Sequence, residues 1–214
     1  MKFLTLMLGG ILTFSASAQP LSTQLLHFFQ QREPDYADNL SVTLLSLTPN
    51  TFSCDQPQLQ LANHSRRWGA LTLTARCQQQ VAVARVAVKV SGYYYQSRQQ
   101  IKQGTLVQPQ QIERCYGRLD RLPTNSWLTP PPLPLVALQS LPVGKVLLKS
   151  QFRPPWVIQR GETVTLTFGG KGFTINSRAT ALDNAAVHQS LRVRLKNGQL
   201  LTAWVASDGT LKVQ

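Results

Sequence analysis

The residue types that could hold a metal ion are few and widely spaced in this sequence. The three histidines are His27, His64 and His188, and no His-x-x-x-His spacing occurs. The three cysteines likewise contain no Cys-x-x-Cys pair. Structural and catalytic zinc sites typically draw their ligands from such closely spaced residues. The sequence therefore predicts no metal centre.

Covalent and acid–base catalysis also lack a recognisable motif. The nucleophile elbow Gly-x-Ser-x-Gly is absent, and a glycosidase needs two carboxylates that face one cleft. A pairing of Cys115 with a distant histidine stays open, because such partners meet in the fold rather than along the chain. The nine acidic residues, most of them in predicted turns or at element ends, are Glu33, Asp35, Asp38, Asp55, Glu113, Asp120, Glu162, Asp183 and Asp208. We expect no enzymatic activity and no cofactor.

Residues 1–18 have the pattern of a cleaved export signal. Met1-Lys2 gives a positive start, an apolar run follows at 3–12, and Ala16-Ser17-Ala18 is a cleavage site. The apolar run is shorter than the roughly 20 residues that cross a bilayer. We therefore expect a cleaved signal, export of the chain and no stable membrane insertion.

The chain is strongly basic, with 22 Lys+Arg against 9 Asp+Glu. This balance indicates an acidic partner or an anionic surface, and a merely soluble basic surface is an equally open alternative. Export disfavours nucleic acid as the partner, and no tract of five or more Lys/Arg occurs.

Export to an oxidising compartment favours disulfides. Cys54 and Cys77 bracket a segment that begins with a turn and ends with a strand, so we predict that they pair. In the chain-entropy model the closed loop contributes about 3 kcal/mol. Cys115 is left over as a buried thiol, a reactive thiol or a site of intermolecular pairing. The buried, inert alternative is favoured because a free cysteine packs like a small apolar residue.

The N-terminal part of the mature chain predicts a small α+β domain at 19–84. Apolar residues recur at helical spacing in 21–32, and Pro34 ends this helix. The alternating segments 41–47, 59–61, 69–77 and 81–90 are predicted strands. Tyr93, Tyr94 and Tyr95 continue the β character of the last strand.

A seven-residue pattern occurs at 101–107 and returns forty residues later at 141–147, with a shorter echo at 158–164. Its order is apolar, two variable residues, Gly, one variable residue, apolar. Gly104, Gly144 and Gly161 occupy the glycine position, which we predict to be a turn with positive φ. Two related turns indicate a compact β-clip, in which the chain folds over itself, at 85–152.

Two further segments complete the organisation. The proline-rich residues 123–134 predict a stiff crossover loop, with a ligand for aromatic-lined grooves as the alternative. Residues 153–214 contain five short alternating segments, and Asn197-Gly198 is a strong hairpin signal. They predict a small β-barrel or sandwich. The fold class is thus mainly β, with a small α+β N-terminal domain.

The paired turns, the predicted N-terminal disulfide and the C-terminal hairpins resemble the flagellar P-ring formation proteins. The segments that carry the resemblance include Ile101-Lys102-Gln103-Gly104, Leu141-Pro142-Val143-Gly144 and Gly209-Thr210-Leu211-Lys212-Val213. The central repeat is similar to an SAF domain, a β-clip module. The likeness covers about the last 130 residues well and the first sixty only by layout.

The resemblance implies a periplasmic chaperone that binds P-ring subunits during assembly of the ring around the flagellar rod. The candidate partner-binding residues are Tyr93, Tyr94, Tyr95, Arg98 and Lys102, together with the proline loop. An alternative from another class is an envelope module that binds peptidoglycan or another carbohydrate, which the SAF likeness, the four tryptophans and the positive charge favour.

Overall fold

The computed structural model of the chain describes residues 20–62, 66–170 and 173–213. The predicted export signal and His64 lie outside these residues. The described chain forms two compact units. The first extends to Gly92 and includes the distant segment Gly117–Arg121, and the second comprises Tyr93–Tyr116 and the chain from Leu122 onward. The predicted domain boundaries at 84/85 and 152/153 stay predictions.

The first unit is a helix packed on an antiparallel sheet. Its elements are α1 (Leu21–Arg32), β1 (Leu40–Thr48), β2 (Gln58–Leu61), β3 (Gly69–Cys77) and β4 (Gln80–Ser97), whose last residues belong to the second unit. The sheet order is β1-β4-β3-β2. A 3-10 turn at Pro34–Asn39 follows the helix, because Pro34 cannot continue the α-helical hydrogen bonds.

Period-two alternation in β4 creates the core of this unit. Alternate β4 residues are buried from Ala82 to Val90, and their neighbours in sequence point to the opposite face. Leu25 and Phe29 of α1 are fully buried, one helical turn apart on the same face. The predicted helix and strands of this region are confirmed.

Cys54 and Cys77 form a disulfide, with their Cα atoms 6.1 Å apart. The predicted pair is therefore confirmed. The bond ties the loop before β2 to the end of β3. Gln24 of α1 donates to the carbonyl of Asp55 at 3.0 Å, which holds the same loop from the helix side. Cys115 is free and half-buried.

A segment far along the chain completes the first unit. Leu119 is buried, and its carbonyl accepts a hydrogen bond from the indole N–H of Trp68 at 3.2 Å. Asp120 accepts from the backbone N–H of Val90 at 3.2 Å and from the guanidinium of Arg118 at 2.7 Å. The segment Gly117–Arg121 thus adds a buried leucine and a hydrogen-bonded carboxylate to the first unit from a distant part of the chain.

The second unit begins with the β-clip, which we define as residues 93–116 and 122–156. Its strands are the end of β4, β5 (Ile112–Arg118), which pairs with β4, and the short β6 (Val136–Ala137) and β7 (Phe152–Arg153), which pair with each other. The buried core of the clip consists of Ile101, Val107, Leu135, Ala137, Leu141, Leu147 and Phe152.

The two copies of the sequence repeat make equivalent backbone hydrogen bonds in the structure. The N–H of Gly104 donates to the carbonyl of Ala137 at 2.8 Å, and that of Gly144 donates to Ser97 at 2.7 Å. Each donor and each acceptor is displaced by forty residues from its counterpart. The φ values of Gly104 and Gly144 are 77° and 75°, in the left-handed region that glycine adopts without a steric penalty.

Further contacts repeat at the same interval. Ile101 and Leu141 exchange both backbone hydrogen bonds, at 2.9 and 3.0 Å. The side-chain oxygens of Gln111 and Gln151 each accept from the N–H three residues earlier, both at 2.9 Å. The reciprocal pairing relates the two halves of the clip by a local two-fold axis.

The rest of the second unit is a closed five-stranded barrel. Its strands are β8 (Thr163–Gly170), β9 (Phe173–Ala181), β10 (Ser190–Leu195), β11 (Leu200–Val205) and β12 (Leu211–Val213), in the order β10-β11-β12-β8-β9. The prediction of a small barrel or sandwich is thus confirmed, and of these two alternatives the structure is the barrel. Closure pairs every strand with two neighbours, which leaves no free sheet edge.

The barrel contains two more turns of the clip type. The N–H of Gly161 donates to Ala181 at 2.8 Å, and the N–H of His188 donates to Val205 at 2.9 Å. Each acceptor residue donates back to the residue that follows the turn position. The φ values are 90° at Gly161 and 64° at His188. The fourth turn escaped the sequence pattern because histidine stands where the others have glycine.

Candidate protein-binding surface

The described residues contain no group of three or more His, Cys, Asp or Glu side chains that could hold a metal ion. His27 and His188 are both exposed. His188 lies against the ring of Trp204, with centroids 6.2 Å apart, and its Nε2 is 3.5 Å from the hydroxyl of Ser207. These contacts are those of a surface side chain.

The free thiol is not activated. Burial raises the pKa of Cys115, and the negative charge of Glu113 raises it further. A nucleophilic cysteine needs a lowered pKa, because the thiolate is the reactive form. The geometry around Cys115 therefore favours the inert alternative.

Carboxylates in the described residues act as structural acceptors. Hydrogen bonds from Arg192 lower the pKa of Asp183 to about 2, and those from Arg118 and the N–H of Val90 lower the pKa of Asp120. A general acid needs a raised pKa instead. Further carboxylate contacts are Glu33–Arg67, Glu113–Gln96 and Asp208–Thr210.

An exposed aromatic cluster lies where β4 and β5 pair in the β-clip. The rings of Tyr93 and Tyr116 meet edge to face, with centroids 5.1 Å apart and an angle of 72° between their planes. The guanidinium carbon of Arg114 lies 3.5 Å from the centroid of Tyr93. Tyr93 is 47% exposed and Tyr116 55%. We call these three residues the tyrosine patch.

Backbone and side-chain hydrogen bonds set the register that assembles this patch. The N–H of Arg98 donates to the carbonyl of Gln111 at 2.8 Å, and Gln96 donates to Glu113 at 2.6 Å. The same antiparallel register, continued by three residues, places Tyr93 opposite Tyr116. Directly opposed aromatic side chains on one face stabilise a strand pair by about 0.2–1 kcal/mol.

The structure divides the predicted partner-binding residues. Tyr95 packs against the clip core, and Tyr94, its neighbour along the strand, is half-buried. Arg98 and Lys102 are exposed. Tyr93 alone joins the tyrosine patch.

Arg114 and Tyr116 were missed by sequence reasoning. The only signal for them is their spacing: Arg114 and Tyr116 are two residues apart, so in a strand they point to the same face. They join Tyr93 on that face only because the strand pairs with β4. Nothing in the local sequence indicates that pairing.

The β-clip carries six basic residues and one acidic residue, Glu113. Three of the cations lie over aromatic rings: Arg114 over Tyr93, Arg153 over Trp156 at 3.6 Å, and Lys149 over Trp127 at 5.5 Å. A cation–π contact holds a side chain in place without neutralising its charge. The clip therefore presents ordered aromatic groups in a positive field. Its basic residues are Arg98, Lys102, Arg114, Lys145, Lys149 and Arg153.

No helix among the described residues is long and apolar enough to cross a membrane.

Comparisons with known proteins agree with one another. The family model described as "Chaperone for flagella basal body P-ring formation" matches residues 93–213. The flagella basal body P-ring formation protein FlgA of Yersinia enterocolitica is 34% identical over 98% of this chain and 96% of its own. The Salmonella typhimurium protein of the same name is 32% identical over 92% of this chain and 90% of its own.

Solved structures match as well. The crystal structure of Salmonella FlgA in open form has a TM-score of 0.76 and 32% identity, over 91% of this chain and 93% of that one. The closed form has a TM-score of 0.57 over 91% and 99%. A family match over more than half of the chain and relatives of this identity over nearly its whole length establish the family. The chain belongs to the chaperones for flagella basal body P-ring formation.

Proposed function

We propose that this P-ring assembly chaperone binds the P-ring subunit through the tyrosine patch and through Arg98 and Lys102, two exposed basic residues of the same clip. The observation that carries the proposal is the edge-to-face pair of Tyr93 and Tyr116, half exposed, with Arg114 stacked on one ring. Tyrosine and arginine are enriched among the residues that carry most of the binding energy of protein interfaces, and tyrosine buries a large area at little cost in side-chain entropy.

The charge of the clip sets the chemistry of the partner surface. The clip contains six cationic residues and one carboxylate. An acidic surface on the subunit would therefore be attracted to the clip and would associate with it faster. An escort must also release its cargo, so moderate affinity suits the role. An interface built on two exposed tyrosines and one arginine whose charge is screened by solvent is expected to have such a moderate affinity.

The proposed action is binding without chemistry, in the periplasm. The thiol and the carboxylates described above are engaged in packing and ion pairs, and no step of the proposed function uses a cofactor, nucleic acid or membrane insertion. The export pattern at 1–18 and the disulfide support an oxidising envelope compartment.

A second candidate function is carbohydrate binding in the cell wall. Trp204 is 37% exposed on the outside of the barrel, where it pairs across the sheet with Ser190 and Lys212. A flat ring between hydrogen-bonding side chains is suited to stacking on a sugar. Pull-down on purified peptidoglycan, compared between wild type and Trp204→Ala, separates this function from subunit binding.

Site-specific crosslinking in the periplasm tests the main proposal. A photoreactive residue at Arg98, Lys102 or Tyr116 is expected to capture the P-ring subunit, and one at Lys212 on the barrel exterior serves as a matched exposed control. Capture from Lys212 alone, or from no position, would sink the proposal.

A further inference from the structure

The local two-fold axis of the β-clip gives the tyrosine patch a structural counterpart. Tyr93 and Tyr116 have equivalents forty residues later, at Leu133 and Trp156. Tyr93 lies three residues before Gln96, and Tyr116 three residues after the Glu113 that Gln96 contacts. In the same way Leu133 lies three residues before β6, and Trp156 three residues after the Arg153 that pairs with Val136.

The counterpart positions are also exposed, and an arginine again lies over an aromatic ring. Trp156 is 45% exposed and Leu133 is 36% exposed. The guanidinium carbon of Arg153 lies 3.6 Å from the centroid of the Trp156 ring. In the tyrosine patch the arginine stacks on a ring of the opposite strand, whereas here it stacks on a ring three residues later in its own segment, beyond the end of β7. We call Arg153 and Trp156 the tryptophan patch.

Proline fixes the backbone that presents this second patch. Pro154 and Pro155 lie between Arg153 and Trp156, and Leu133 stands between Pro132 and Pro134. Proline holds φ near −65° and gives no N–H to a sheet, so the strand pairing of β6 and β7 ends there. A stiff backbone loses little entropy when its side chains are buried by a partner.

Arg153 keeps most of its hydrogen-bonding capacity for a partner. Its recorded hydrogen bond runs from Nη1 to the carbonyl of Pro154 at 2.9 Å, and no described carboxylate lies within ion-pair distance of it. A guanidinium has five N–H donors in a planar fork that fits a carboxylate. The single carboxylate of the clip, Glu113, is bound by Gln96.

We infer that the tryptophan patch is a second docking surface, which binds a segment of the P-ring subunit that carries an apolar side chain next to a carboxylate. The apolar side chain lies on Trp156, and the carboxylate meets Arg153. Both surfaces present an arginine on an exposed aromatic ring, although Arg153 occupies the position that corresponds to Glu113 in the other half of the clip. This inference rests on the proposed function, which supplies the subunit as the partner.

Titration of purified P-ring subunit into the purified mature chain tests the inference. Trp156→Ala is expected to weaken binding about tenfold, as truncation of an interface aromatic does. Trp156→Phe keeps an aromatic ring and is expected to stay within about threefold of wild type. Arg153→Met removes the guanidinium and its charge but keeps an unbranched side chain, so it is expected to reduce the loss of affinity between 50 and 200 mM salt, because screening acts on charge.

Leu200→Ala is the control, because Leu200 is a large apolar residue that is exposed on the barrel. We expect its affinity to stay within twofold of wild type, and circular dichroism melts confirm that each variant is folded. If wild type binds and Trp156→Ala, when folded, binds within twofold of it, the second surface is refuted and the proposed function stands. If wild type does not bind the subunit at all, the proposed function fails first, and the inference falls with it.

Discussion

The turn glycines are required by the backbone conformation of the β-clip turns. Gly104 has a φ of 77°, and a Cβ added there meets no atom within 4 Å. The cost of Gly104→Ala is therefore one of backbone conformation alone, about 1–2 kcal/mol in the left-handed region. Gly104→Asn is expected to cost less, because asparagine visits that region more readily. Urea unfolding of both variants checks this, and an alanine variant as stable as wild type would contradict it.

Gly92 is required for a different physical reason. A Cβ at this position would lie 2.8 Å from Cδ1 of Leu119 and 3.0 Å from Cε1 of Tyr36. Gly92→Ala is therefore expected to destabilise the first unit by about 1–3 kcal/mol through overpacking. In a Leu119→Ala background the same substitution is expected to cost less, because the closest atom is gone. Equal costs in the two backgrounds, measured by chemical unfolding, would show that the steric account is wrong.

The same positions show what sequence can predict at the residue scale. The spacing of Gly104, Gly144 and Gly161 indicates turns because glycine is the residue that a positive φ requires. His188 makes the same turn with φ 64°, and no local rule predicts that histidine adopts it. The hydrogen bonds of the barrel impose that conformation, so only the fold reveals it.

The disulfide acts at the scale of the sheet. It joins residues 23 apart, which in the chain-entropy model stabilises the folded state by about 3 kcal/mol. Replacing Cys54 and Cys77 by serine is expected to lower the free energy of unfolding by that order. Cys115→Ser is the control, and we expect it to change stability little.

Reductant gives an independent check of the same bond. Dithiothreitol is expected to shift the unfolding midpoint of wild type toward that of the Cys54→Ser/Cys77→Ser variant and to leave the variant unchanged. Equal midpoints for wild type and variant without reductant would contradict a stabilising role.

The ion pair of the returning segment predicts a pH dependence. The hydrogen bonds from Arg118 and Val90 lower the pKa of Asp120 below its ordinary value of about 3.9. Its contribution to stability is therefore complete above that ordinary value and is lost as the pH falls through the lowered pKa.

Asp120→Asn tests this contribution directly. At pH 7 we expect the variant to be less stable than wild type by about 1 kcal/mol, since it loses charge-assisted hydrogen bonds. The gap is expected to close as the pH falls below 4. Unfolding curves at pH 7, 4 and 3 measure the gap, and a constant gap would count against the role of the carboxylate.

Elements were predictable where their pattern is local. The helix at Leu21–Arg32 and the strands of the barrel follow from periodicity, because each buries one face against a core. The return of Gly117–Arg121 to the first unit was not predictable. It depends on the buried Leu119 and the contacts of Asp120 with Val90 and Arg118, and no sequence period encodes such long-range partners.

At the scale of the whole molecule, charge and aromatic exposure together define the proposed mode of action. The chain has 22 Lys+Arg against 9 Asp+Glu, but composition alone left a merely soluble surface as an equal alternative. The structure adds that three of the six cations of the clip lie over aromatic rings and not beside carboxylates. Ordered rings in an uncompensated positive field favour a partner that is both apolar and acidic.

The central claim is that the tyrosine patch binds the P-ring subunit. The most direct measurement is the affinity of purified subunit for wild type, for Tyr93→Ala/Tyr116→Ala and for the control Leu200→Ala, which truncates an exposed residue of the barrel. We predict that the double variant, folded by circular dichroism, binds at least tenfold more weakly, while the control stays within twofold of wild type. A folded double variant that binds the subunit as tightly as wild type would contradict the account.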